Sequence, residues 1–455
     1  MSYLKSKFIS ISGLINKGHE RSVKAKKNIL ALIIIKGGSI AVSLLLVPMT
    51  LNYVNPTRYG IWITLSSIIA WFSFFDIGFG NGLKNKFAEC IAKGQHEIAR
   101  IYVSTTYAIL SILIILVLLA FFLINPFINW TKILNTSSDM AGELSILALI
   151  VFVFFCLQFV LQLITTVMTA KQEPAKASLL NLLGSVFSLL IIFVLTKTTS
   201  GNLIYLASAL GITPILVLAF SSIWFFKFQY RNYSPAIKYV KFSYARNLMS
   251  LGIKFFIIQI GAVVFYQTDN IVVTQLFGPK EVTTFNIAYK LFSVLIMFFF
   301  IIITPLWSAF TDAYTSSDFQ WIIITFKKVK KVWYLLILLT ILLLFTSTFI
   351  FKLWIGESIE VPFSLSVALS FYVIVNSWQA IYIHFLNGIG KIHIQLYLVI
   401  VFSILNIPIA IFLGKRIGLA GITYSNTVIF IIMGIIYAIQ AKKIINNRAN
   451  GIWNK

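Results

Sequence analysis

The sequence predicts an all-α polytopic membrane protein: twelve transmembrane helices in two six-helix lobes, with both termini cytoplasmic (N-in/C-in). Three observations predict it. Of 455 residues, 59% are hydrophobic and only 11% charged, whereas soluble domains average about 25% charged; the mean hydropathy is +0.92. The apolar residues come in runs of about 20, long enough to cross a hydrocarbon core of about 30 Å. Basic residues are distributed unequally between alternate loops, as the positive-inside rule expects. The same composition excludes other classes. The 41 Phe and the long Ile/Leu runs exclude disorder. The runs also lack the alternation over about 10 residues that a membrane β-barrel needs. Two cysteines, Cys90 and Cys156, provide neither a disulfide framework nor metal-ligand spacing.

Spans are expected at 29–51, 59–83, 101–124, 146–170, 177–196, 203–226, 248–277, 283–310, 332–351, 365–388, 392–414 and 419–441. Turn chemistry bounds several of them: Asn55-Pro56, Asn125-Pro126, Glu173-Pro174 and Gly278-Pro279. With a cytoplasmic N-terminus, the inside segments hold 27 of the 37 Lys and Arg, the outside loops seven and the spans three. The formal net charge of +24 is therefore a topology signal, and no nucleic acid is needed as a partner.

Residues 1–28 form a basic cytoplasmic segment without the apolar region and cleavage site of a signal peptide. Leu4, Phe8, Ile11 and Ile15 recur at helical spacing among Lys5, Lys7 and Lys17. That pattern predicts an interfacial helix on anionic lipids of the inner leaflet. Residues 29–226 make the first lobe, 227–247 a cytoplasmic linker, 248–441 the second lobe and 442–455 a cytoplasmic tail. The linker carries Tyr230, Tyr233, Tyr239 and Tyr244. An internal repeat supports the division: Gly38 and Gly261 are 223 residues apart, and so are Pro56 and Pro279. Parallel six-helix halves about an axis along the membrane normal are a transporter architecture.

The start of the second span, Tyr59-Gly60-Ile61-Trp62, the run FDIGFGNGLKNKFAE at 75–89 and PLWSAFTDAY at 305–314 resemble the Wzx-type O-antigen flippases. These are polysaccharide transporters of the multidrug/oligosaccharidyl-lipid/polysaccharide superfamily. The likeness extends over nearly the whole chain in span number, orientation and six-plus-six division, and DIGFGNG is its most specific element. It implies a V-shaped bundle like that of the MATE transporters, in the bacterial cytoplasmic membrane. It also implies a substrate, a short oligosaccharide on undecaprenyl pyrophosphate, turned from the inner to the outer leaflet for O-antigen or capsule assembly. Other polysaccharide-assembly membrane proteins would be its partners.

A pyrophosphate and its sugars cannot enter hydrocarbon, so that task needs a polar cavity open to one side at a time. The polyprenyl tail needs the cavity open sideways to lipid. Phosphate calls for cationic side chains, which makes the charges inside spans informative: Lys36, Asp76, Lys254, Asp269 and Lys290. Each costs about 2.5–3.5 kcal/mol at the centre of a lipid-facing helix, so each is expected to face the bundle interior or another charge. Lys36 lies 19 residues before Asn55 and Asp76 lies 21 after it. They share a depth in the cytoplasmic half with Lys254, six residues into its span. Asp269 and Lys290 lie 11 and 10 residues from Lys280, at one level in the outer half. The five are candidate substrate-binding residues: an inner cluster that receives pyrophosphate and an outer pair that switches partners. The bland alternative is two static ion pairs across hairpins, with lysines snorkelling to the interface.

Asn81, Lys84 and Asn85 are candidates for a cytoplasmic gate. Gln158, Gln162, Gln259 and Gln267 are candidates for helix glue or sugar contact, His384 for packing, and Pro48, Pro214, Pro305 and Pro408 for kinks. The sequence contains no P-loop, H-E-x-x-H or nucleophile elbow, so it is not expected to be an enzyme or to hold a cofactor. A coupling ion, H+ or Na+, would fall to Asp76 or Asp269. Two other readings stay open. A drug or small-cation antiporter of the same superfamily would favour acids, whereas the five span charges sum to +1. A membrane polymerase or glycosyltransferase would want a larger outer loop than 125–145. Topology is tested with reporter fusions: those near residues 95, 235 and 320 should read cytoplasmic, and those near 135 and 357 periplasmic. Inversion at any two sites would end the twelve-span arrangement.

Overall fold

Proline and glycine punctuate the apolar runs and so fix where the helices begin. Pro56, Pro174 and Pro279 each stand in a first helical turn, where a missing N–H leaves nothing unsatisfied. The computed structural model describes residues 20–76, 78–357 and 359–454, with side chains at all of these except 20–29, 74, 75, 249–255, 257–259, 262, 266 and 308. The interfacial helix expected for the N-terminal segment falls at 1–19, outside the described residues.

The first half comprises α1 (Glu20–Tyr53), α2 (Pro56–Ala70), α3 (Phe79–Ala92), α4 (His96–Ile124), α5 (Ala141–Leu161), α6 (Leu163–Ala170), α7 (Pro174–Thr198) and α8 (Leu203–Lys227). The second comprises α9 (Ala245–Phe277), α10 (Pro279–Ile303), α11 (Leu306–Thr315), α12 (Phe319–Ile355), α13 (Phe363–Gly388), α14 (His393–Ile417) and α15 (Leu419–Ile445). No strand occurs among the described residues. Among the described residues, ten stretches are long and apolar enough to cross a membrane, and the chain is a multi-pass membrane protein. They coincide with ten of the expected spans. Of the other two, 248–277 lies in the unbroken 33-residue α9, and 59–83 is divided.

Three expected spans are interrupted, two of them without a proline to announce it. The second breaks at a 3-10 turn, Trp71–Asp76, followed by Gly78 at φ +81°, a conformation that disfavours residues with a Cβ. Asp76 then stabilises the restart: the Gly80 N–H donates to its Oδ1 at 2.8 Å, satisfying a donor that a helix start leaves open. The fourth breaks at Gln162, between α5 and α6. The eighth breaks at Pro305, between α10 and α11. Pro48, Pro214 and Pro408 lie within continuous helices.

The polarity of the bundle is inverted relative to a soluble protein. Leu116, Leu123, Phe345 and Phe349 are more than 60% exposed, while Thr64, Thr274, Asn406 and Gln440 are fully buried. Buried apolar residues form two clusters. One runs from Tyr53 to Leu248, and the other from Phe265 to Ile444 with Val47 of α1 added. The linker is stapled to the first half by its four tyrosines. Tyr230 donates to Glu173 Oε2 at 2.6 Å, and the Tyr233 hydroxyl lies 2.7 Å from His96 Nδ1. Tyr239 lies under the Arg100 guanidinium at 4.3 Å, and Tyr244 meets Tyr102 edge to face.

Candidate functional site

Closure at one end of the bundle defines the space between the halves. α2 and α10 begin at the two prolines of the internal repeat, and their first turns touch. A Cβ on Gly60 would lie 1.7 Å from the Pro279 carbonyl oxygen, so the backbones can meet only because this position is glycine. Thr283 Oγ1 donates to the Pro56 carbonyl at 2.6 Å, and the Thr64 and Thr274 hydroxyls lie 2.6 Å apart. Asn270 Nδ2 donates to Ser67 Oγ at 2.8 Å, and Gln275 Nε2 donates to the Ile133 carbonyl at 2.6 Å. This is the end that the loop charges lead one to expect on the outside.

Further along, a cavity of about 450 Å³ opens between α1, α7 and α10. Lys36, Ser39, Ser43, Ser185 and Lys290 supply its polar atoms, and Val294, Met297 and Ile301 its apolar side. α1 and α10 run in opposite directions. Lys36 stands 19 residues from Asn55 and Lys290 stands 11 from Pro279, an axial offset of roughly 12 Å at helical rise. Lys36 is exposed and Lys290 half-buried.

The pairing expected between Asp269 and Lys290 is not made. Neither takes part in an ion pair among the described residues. Asp269 faces α14 and α15 instead: Asn426 Nδ2 donates to its Oδ2 at 2.7 Å, and Asn406 Nδ2 donates to Asn426 Oδ1 at 2.7 Å. Asn270 and Asn286, eight residues either side of Gly278, do meet across the hairpin, Asn286 Nδ2 donating to Asn270 Oδ1 at 2.7 Å. One position along, about 100° of helix turn, Asp269 points elsewhere.

Lys36 and Asp76 also separate, because α1 packs along α7 rather than along its hairpin neighbour α2. Asp76 lines a second cavity of about 350 Å³ with Asn81, Lys84, Gln162, Thr165 and Thr169. Phe159 and Gln162 are shared with a third cavity of about 370 Å³, where Trp62, Ser66, Gln158 and Gln267 are found. Three of the glutamines considered as helix glue therefore border open space. Asn85 is exposed. The side chains of Lys254 and Gln259 lie outside the described residues. His384 is packed, its Nδ1 2.9 Å from the Ala380 carbonyl and its ring against Phe300 and Trp307. Ser39, Ser43, Asn406 and Asn426 carry no charge to mark them in the sequence; the i, i+3, i+7 spacing of Lys36, Ser39 and Ser43 is the one signal available there.

Residues 25–310 match the family model described as "Polysaccharide biosynthesis protein". The chain belongs to that family. Residues 255–412 also match the MatE model. A Yersinia pseudotuberculosis protein named for O-antigen export is 22% identical over 78% of this chain and 81% of its own length. A Salmonella typhi protein named for O-antigen transport is 23% identical over 58% of this chain and 60% of its own length. Among solved structures, the inward-facing conformation of a multidrug resistance MATE family transporter of the MOP superfamily superposes with a TM-score of 0.75 at 14% identity. That match covers 90% of this chain and 95% of that one. The outward-facing conformation of such a transporter gives 0.65 at 13% identity, over 93% and 97%. The resemblance to the Wzx-type flippases is thus shown, and the fold is that of the MATE transporters.

Asn426→Ala should strip Asp269 of its donor and destabilise the detergent-purified protein by about 1–3 kcal/mol, read as a lower thermal unfolding midpoint. Lys290→Ala should leave the midpoint nearly unchanged. Equal losses in the two variants would reinstate the Asp269–Lys290 pair.

Proposed function

We propose that this transporter carries oligosaccharide on undecaprenyl pyrophosphate across the bacterial cytoplasmic membrane for surface polysaccharide assembly, by alternating access of its two lobes. The observation that carries the reading is the cavity to which one half contributes Lys36 and the other Lys290. A pyrophosphate buried without partners would cost several kcal/mol, and lysine is a compact point charge suited to phosphate. With the outer end sealed, the head group meets Lys36 first, and Lys290 receives it about 12 Å further along. The apolar side of the cavity and the exposed Met297 let the polyprenyl tail stay in lipid. The sugars find amides at Gln158, Gln162 and Gln267 and hydroxyls at Ser66, Thr165 and Thr169 in the two neighbouring cavities. The relatives named for O-antigen export and transport support the same substrate class. Two lysines, rather than acids, on the space between the lobes disfavour a small-cation antiporter.

Of the two acidic candidates for a coupling ion, Asp269 suits the role better. Its Oδ1 and Asn406 Oδ1 are buried without a hydrogen-bond partner among the described residues, leaving oxygen acceptors for a proton or Na+.

The test is surface polysaccharide in a flippase-deletion strain complemented at matched expression. Lys36→Ala and Lys290→Ala should each lower it about tenfold or more, because a hydrogen bond to a charged group is worth about 1.5–3 kcal/mol and about 1.4 kcal/mol is tenfold. The Lys→Arg variants should keep part of the activity. Asp269→Asn, which preserves shape, should fold and fail to transport; full activity there would remove the coupling role alone. Normal polysaccharide from the Lys36→Ala/Lys290→Ala double variant would sink the pyrophosphate site.

A further inference from the structure

A second cationic site lies away from the space between the lobes. At the end of the second half expected to face the cytoplasm, α12, α13 and α15 enclose a groove of about 530 Å³. Lys327 and Lys330 enter it from α12 and Lys442 from α15. None of the three is in an ion pair among the described residues, so three positive charges converge with no acid to balance them. Ile323, Ile435 and Ile439 also line it and are 40–47% exposed; the last two precede Lys442 on α15 and lie on its membrane side. Its wall on α13 is aromatic: Trp378 and Tyr382 stand one turn apart, and Lys330 Nζ lies 5.9 Å from the Tyr382 ring centre.

The two properties together specify an amphiphile. Clustered lysines alone would suit any anion, and exposed isoleucines alone would suit any acyl chain. Basic pockets between transmembrane helices at the cytoplasmic face hold anionic head groups, at about 1 kcal/mol for each Lys or Arg. We propose that this groove binds an anionic phospholipid, its phosphate against Lys327, Lys330 and Lys442 and an acyl chain along Ile435 and Ile439. Every lining residue comes from one half of the chain, so the lipid rides with that lobe and never crosses the transport cavity. The site is thus separate from Lys36 and Lys290.

α12 contains its own control. Lys328 and Lys331 lie one residue from the groove lysines but do not line it. Native mass spectrometry of the full chain in detergent, with equimolar phosphatidylglycerol and phosphatidylcholine, reads the preference directly. The wild type should retain phosphatidylglycerol selectively, and millimolar inorganic phosphate should not displace it. Lys327→Gln/Lys330→Gln should weaken retention about tenfold or more, while the charge-matched Lys328→Gln/Lys331→Gln should leave it nearly intact. Should the first double variant not purify, Lys442→Gln on the opposite helix should weaken retention about fivefold. Equal losses from the two double variants, no lipid preference in the wild type, or displacement by free phosphate would each overturn the groove.

Discussion

The approach of Gly60 to the Pro279 carbonyl is the contact on which the arrangement of the two halves depends. It lets the first turns of α2 and α10 touch, and the hydroxyl and amide contacts of Thr64, Thr274, Thr283 and Asn270 follow from that proximity. Closure at this end obliges the space between the halves to open further along, where Lys36 and Lys290 share a cavity. The prolines that begin both helices are the same pair that marks the internal repeat. The repeat thus has a physical sense: equivalent turns of the two halves meet as the seal.

A second constraint acts throughout. In hydrocarbon a polar group must find its partner within the bundle, and each interruption of a span shows how that is met. Asp76 accepts from Gly80 where α3 restarts, and in doing so it sits at the rim of a cavity instead of against Lys36. Asp269 is held by Asn426, itself held by Asn406. Charges that would be costly in lipid are thus directed to two destinations, a fixed amide network or open polar space. Lys36 and Lys290 take the second.

Much of the fold was legible because length, apolarity and loop charge act locally. Turn chemistry at Asn55-Pro56 and Gly278-Pro279 located helix starts correctly, and DIGFGNG marked a segment with unusual backbone demands at Gly78. The breaks at 71–78 and 162 were not legible, because they are stabilised by contacts made after the helices pack. The candidate site was half legible. Counting residues from a turn gives depth, and the Asn270–Asn286 contact shows the method working. Counting says nothing about which neighbour a face will meet. Asp269 turned toward α14 and α15, and α1 chose α7 over α2, so two pairings inferred from depth dissolved. Lys36 and Lys290, assigned to different levels, line one cavity because that cavity is long enough to include both.

The central claim is that the end sealed by α2, α9 and α10 must open for substrate to leave. It is tested most directly by Thr64→Cys with Thr274→Cys, at hydroxyls now 2.6 Å apart, in a background with Cys90 and Cys156 replaced. Oxidation should form the disulfide, halt surface polysaccharide export and leave the protein in the membrane, with reductant restoring export. Undiminished export from protein shown to be fully cross-linked would contradict the account.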